Sequence, residues 1–171
     1  MAELMPKERL QPSLLDRLTD DEPGRAMHEC DSGILSPARL RECVRRDLTW
    51  LFNSTHFQSW CSLHDFPLVA RSVLNYGIPD LAGRTVSGLD TEELVHMVRR
   101  AILDFEPRLA RDSLRVRLVV DEQQMNHNAL FFDVEADLWA QPLPLRLLLR
   151  TAFDLETGSV EVSEQAGKAG E

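Results

Sequence analysis

The sequence predicts an α+β domain, with N-terminal helices packed on a C-terminal antiparallel β-meander. Three observations predict it. Apolar residues recur at helical spacing as far as Phe105. From Leu114 onward they alternate with a period of two. Two of the helical stretches open on residues suited to capping a helix, Ser36 and Asp90.

Residues 1–35 read as an extended arm, 36–162 as the domain and 163–171 as a flexible tail. The arm holds Pro6, Pro12, Pro23, Gly24 and Gly33, with little apolar period. Ser13-Leu14-Leu15-Asp16-Arg17-Leu18 differs from its surroundings. Ser13 can cap one helical turn there, with Leu14, Leu15 and Leu18 on one side. Such a turn can dock on its own domain or on a partner.

The first long helix starts at Ser36-Pro37, since proline at the first helical position loses no intrahelical bond. Leu40, Val44, Leu48 and Leu51 form its apolar stripe, and Asn53-Ser54 ends it. Trp50, Phe52, Phe57 and Trp60 then read as the edge of the core. A second helix is expected from Pro67 to Asn75, with Leu68, Val69, Val73 and Leu74 as its apolar side and Gly77 after it. A third starts at Asp90, with Glu93 completing a capping box. It ends near Phe105 or Glu106, because Pro107 pushes the residue before it out of helical geometry.

Three alternating segments follow, Leu114–Val120, Leu130–Leu138 and Leu145–Thr151, with Val160 and Val162 as a last short strand. Their polar faces carry arginine, then acid, then arginine. Neighbouring strands can pair those charges, at about 0.2–1 kcal/mol per pair.

Composition removes several classes. The 19 basic against 28 acidic residues give a net charge of -9, the wrong sign for neutralising phosphates. The longest apolar cluster, near Leu143–Leu149, is broken by Pro144 and Arg146 and is too short to span a membrane. Glu3, Lys7, Glu8 and Arg9 stand where a secretion signal needs an apolar core. Cys30, Cys43 and Cys61 give no disulfide framework, so a reduced, cytoplasmic compartment is expected.

No metal or cofactor is expected. His28, His56, His64, His96 and His127 are scattered, and Cys61 with His64 lacks a second ligand pair. The phosphate-loop, dinucleotide and nucleophile-elbow motifs are all missing. Glu106, at a helix end beside Pro107 and Arg108, is the best single carboxylate for glycoside hydrolysis, with Asp104 and Asp112 as partners. An arginine two residues away favours the ionised form, which is wrong for a general acid. Glu106 and Arg108 are therefore expected to tie the helix end to the sheet or to another protein.

Four strings carry a resemblance: Ser13–Leu18, Ser72-Val73-Leu74-Asn75-Tyr76-Gly77-Ile78-Pro79-Asp80-Leu81, Phe105-Glu106-Pro107-Arg108-Leu109, and Arg150–Gly158. In this order, over roughly residues 13–160, the chain resembles the TssE family of type VI secretion baseplate subunits. That family is related to the wedge protein of contractile phage tail baseplates, historically called lysozyme-like. The arm before Ser13 and the segment from Asn53 to Asp65 do not align with it.

The resemblance implies a structural subunit without enzymatic activity. It would sit in the baseplate wedge beside TssF, TssG and TssK, at the inner face of the cytoplasmic membrane. It would help start polymerisation of the TssB–TssC sheath. Glu-Pro-Arg is the family's hallmark, so Glu106, Pro107 and Arg108 are the implied residues of the sheath–baseplate contact. Leu14, Leu15 and Leu18 are the second candidate for a protein contact. The family's sheet resembles the sheath region in which neighbouring subunits add strands to one another. Two readings from other classes stand beside it: a peptidoglycan hydrolase, resting on the historical label, and a regulatory adaptor using the same fold.

Overall fold

A computed structural model of the chain describes residues 13–18, 36–85, 88, 90–119, 129–139 and 144–165. Four helices come first: α1 (Leu14–Leu18), α2 (Pro37–Phe52), α3 (Pro67–Ala70) and α4 (Thr91–Phe105). Four strands follow: β1 (Arg115–Val119), β2 (Ala129–Leu138), β3 (Leu145–Asp154) and β4 (Val160–Glu164). The strands lie in sequence order in one antiparallel sheet, so the expected α+β meander is present.

The long helices begin and end where their local chemistry dictates. The Ser36 side chain accepts the Arg39 N–H, and Pro37 opens α2. Asp90 accepts the N–H groups of Glu92 and Glu93 at the start of α4. One face of the sheet is dry: Phe132, Val134, Ala136, Leu138, Leu147 and Leu149 are each at most 1% exposed. The stripes of α2 and α4 close over that face, α2 above β3 and β4 and α4 above β1. On the wet face Arg150 pairs with Asp133 at 3.0 Å, and Arg146 pairs with Glu135. These are the cross-strand pairs the charge alternation predicts.

Several expectations need correction. The helix expected over 67–75 is one turn, α3, followed by a 3-10 turn at Val73–Asn75. Its supposed apolar side faces out, with Leu68 87%, Val73 80% and Leu74 68% exposed. The segment is held by a polar anchor instead. Asn75, 7% exposed, accepts the Gln58 N–H and donates to the Ala70 carbonyl. Of the four aromatics read as core edge only Phe52 is buried; Trp50, Phe57 and Trp60 are exposed. Strand β4 runs through Glu164, two residues into the stretch assigned to the tail. Residues 166–171 of that tail, and most of the arm, lie outside the described residues.

Gly77 fixes how this segment returns to the domain. Its φ is +119°, and a Cβ there would lie 2.2 Å from the Ser54 carbonyl oxygen. That same oxygen accepts the Ile78 N–H at 2.9 Å. Gly77→Ala is expected to cost about 2–4 kcal/mol, since both the dihedral and the contact are forbidden to alanine. Urea denaturation of the purified protein checks this; a loss under about 0.5 kcal/mol would contradict it.

Candidate functional site

The motif Glu106–Pro107–Arg108 occupies the junction between helix layer and sheet layer. Pro107 ends α4 by denying Glu106 helical geometry, and Glu106 sits at φ -118°, ψ 82°. The chain then turns, with the Leu109 N–H reaching the Glu106 carbonyl at 3.3 Å. The turn folds Arg108 back over the Glu106 side chain. Arg108 Nε donates to Glu106 Oε1 at 2.7 Å and Nη2 to Oε2 at 2.5 Å. The Arg108 backbone N–H adds a third bond to Oε1 at 3.1 Å. The Glu106 side chain is only 3% exposed, so its charge is buried and its neutralisation is local.

Beyond the turn the chain enters the sheet. The Arg108 carbonyl accepts the Trp139 N–H at 2.8 Å, and the Ala110 N–H donates to the Asp137 carbonyl at 2.9 Å. Residues 108–110 therefore lie along the same edge of β2 as β1.

The charges continue past the motif. Arg108 Nη2 also donates to Asp47 Oδ2 on α2, at 2.5 Å. Asp47 Oδ1 accepts from Arg46 Nε at 2.9 Å and Nη2 at 2.7 Å. Arg46 Nη1 reaches Asp16 Oδ1 on α1 at 2.6 Å. The Ser13 hydroxyl donates to the other Asp16 oxygen at 2.6 Å. Five side chains thus alternate in sign from Glu106 to Asp16.

Burial works against the charge on Arg108, but Glu106 and Asp47 outweigh it and push its pKa up. Burial likewise opposes ionisation of Asp16. The Ser13 and Arg46 hydrogen bonds override it, so its carboxyl stays below the usual range.

This network docks α1 by its polar side. Leu14, Leu15 and Leu18 are 70%, 46% and 75% exposed. Leu15, Trp50, Tyr76, Phe105 and the Glu106–Pro107–Arg108 motif line one groove of about 480 Å³. The structure therefore brings Leu15 and the motif to one groove, and leaves Leu14 and Leu18 exposed outside its lining. Asp16, Arg46 and Asp47 were not singled out from the sequence. Asp47 carried a faint signal: it lies three residues after Val44 and four before Leu51, on the flank of the apolar stripe.

Both oxygens of Glu106 accept from Arg108, and the neighbouring carboxylate, Asp47, shares the same guanidinium. Among the described residues, no group of three or more His, Cys, Asp or Glu is placed to hold a metal ion.

A family model described as baseplate wedge protein gp25 matches residues 38–143. The match takes in α2, α4, β1, β2 and the whole of Glu106–Pro107–Arg108. No curated protein and no solved structure matches the chain.

Two outcomes follow from the network. Arg108→Ala leaves a buried, unpaired carboxylate and is expected to cost about 3–5 kcal/mol. Glu106→Gln keeps an acceptor, and Arg108 keeps Asp47, so about 1–2 kcal/mol is expected. Chemical denaturation ranks the two, and equal losses would show that Asp47 does not share the load.

The second outcome concerns pH. The folded pKa of Asp16 lies below the ordinary value of 3.8, so its contribution is complete above that value. It is lost as the pH falls through the depressed folded value. The Arg46 guanidinium lies 4.9 Å from the Trp50 ring centre, so Trp50 fluorescence should report the release of α1. The acid transition should be missing in Asp16→Asn, whose arm is released already at neutral pH. An identical transition in that variant would assign it elsewhere.

Proposed function

The chain belongs to the baseplate wedge protein gp25 family, and we propose on that ground that it is a structural subunit of a type VI secretion baseplate. It joins the wedge, made with TssF, TssG and TssK, to the TssB–TssC sheath and helps the sheath begin to polymerise, from the cytoplasmic side. The observation that carries this reading is that the family match encloses the motif and the ion-paired junction it builds. The TssE-like strings point to the type VI member of that family. Among the described residues no helix is long and apolar enough to cross a membrane.

The roles divide as follows. Glu106, Pro107 and Arg108 hold the helix layer, the edge of β2 and α2 in one geometry. They keep the surface that meets the sheath rigid. Leu14, Leu15 and Leu18 are held outward by Asp16 and form an apolar ridge for a wedge subunit. The hydrolase alternative needs a carboxyl poised to give up a proton, whereas Glu106 is fully engaged by a guanidinium.

Co-expression with TssF, TssG and TssK, followed by affinity purification, tests the wedge contact. Leu14→Ser/Leu18→Ser should fold normally, because both side chains are largely exposed. It should also lose at least about tenfold in wedge affinity. Undiminished capture would remove the ridge from the interface. Glu106→Gln should leave the circular dichroism spectrum unchanged while contractile sheaths become rare in cells. Normal sheaths in that background would contradict the role given to the motif.

A further inference from the structure

We propose that the free chain pairs with a second copy of itself through an uncharged apolar knob, residues 57–74, using the same patch on both partners. The inference goes beyond the baseplate reading and does not rest on it.

The knob leaves and re-enters the domain at one neck. The His56 N–H donates to the Ile78 carbonyl at 3.0 Å, and the Ile78 N–H to the Ser54 carbonyl at 2.9 Å. Between those points the chain makes only short elements: a 3-10 turn at Phe57–Ser59, then α3, then the 3-10 turn at Val73–Asn75. The last turn packs on the other two, tied by the Asn75 amide to Gln58 and Ala70. Of residues 57–74 only Leu63 is buried.

Six of the uncovered side chains are large and apolar. Trp60, Phe57 and Phe66 are 81%, 48% and 60% exposed, and Leu68, Val73 and Leu74 join them. Leu63, Ala70 and, from α4, Met97 and Ala101 line a groove of about 580 Å³, and none of the six is among its lining residues. With about 150–250 Å² for a whole aromatic side chain, the six leave on the order of 800 Å² of apolar surface uncovered. The largest apolar patch of a typical soluble monomer is roughly 300–600 Å². A stable interface takes about 800 Å² from each partner, so the knob alone supplies one half of a dimer contact.

Charge selects the occupant. The chain carries a net charge of -9, so two copies repel in most orientations. Residues 57–74 hold one acid, Asp65, and one base, Arg71, and their formal charges cancel. Two copies can meet there without bringing like charge together. Among the six apolar side chains the Trp60 indole N–H is the single hydrogen-bonding group. The contact therefore needs no matched set of donors and acceptors, and a two-fold axis can set the patch against its own copy.

Sedimentation velocity of the full chain, from about 1 to 100 µM, tests the pairing. The weight-average mass should rise toward twice that of the monomer and stop there. Added sodium chloride should tighten the pair, because it screens the repulsion between two acidic copies. Trp60→Ser/Leu68→Ser/Leu74→Ser changes only exposed side chains and should leave the circular dichroism spectrum unchanged. It should weaken pairing at least about tenfold. Leu14→Ser/Leu18→Ser, on the α1 ridge, should pair as the parent chain does.

A chain that stays monomeric over the whole range overturns the proposal. Growth beyond the dimer, loosening by salt, or pairing that survives the knob variant overturns it as well. A monomeric chain whose knob variant loses capture by co-expressed TssF, TssG and TssK would give the patch to a wedge subunit instead. Pairing lost only in the α1 variant would move the contact to the leucine ridge.

Discussion

The buried pair of Glu106 and Arg108 is the constraint on which the rest of the arrangement depends. A carboxylate with a side chain 3% exposed is unfavourable unless a cation reaches it with good geometry. Pro107 supplies the geometry, because ending the helix at Glu106 brings residue 108 back over it. A buried ion pair adds little net stability compared with apolar residues of the same volume. Its use here is positional. It fixes the point at which the chain leaves the helix layer and joins the edge of β2. An apolar substitute could fill the space but would not orient Asp47, and the rest of the charge network would lose its origin.

That network reaches the N-terminal arm. From Glu106 to Asp16 the signs alternate across three separate elements, with local pairs at Glu106–Arg108 and Arg46–Asp47 and long-range pairs at Arg108–Asp47 and Arg46–Asp16. The result inverts the usual logic of a short amphipathic helix. In α1 the acid faces the domain and the leucines face out. A turn of five residues cannot persist in water by its own propensity. Docking through Asp16 supplies what propensity does not, and it presents the leucines in one orientation.

Much of the fold was legible because its signals are local. Ser36–Pro37, Asp90 and Pro107 act on residues next to them, and the change of period at Leu114 is a property of the strand itself. The pairing of Glu106 with Arg108 was legible for the same reason, being two residues apart across a proline. Asp16, Arg46 and Asp47 were not, since the contacts span 30 and 61 residues and no periodicity encodes them. The segment from Pro67 to Asn75 failed differently. Its apolar spacing resembled a buried stripe, but spacing cannot say whether a core lies opposite. Here two short turns are held by the Asn75 amide, and the apolar side chains remain outside.

Helix α2 makes the two edges of the sheet unequal. Its apolar stripe covers the sheet, Asp47 and Arg46 carry the charge network, and Asn53 and Arg45 seal β4. A sheet with both edges open could extend in two directions, and one with both sealed could not extend at all. Asn53 and Arg45 cover the Val160 groups and the Val162 carbonyl on β4, while the opposite edge of the sheet is continuous with residues 108–110. The motif that anchors the fold therefore leads straight onto the β1 side of the sheet.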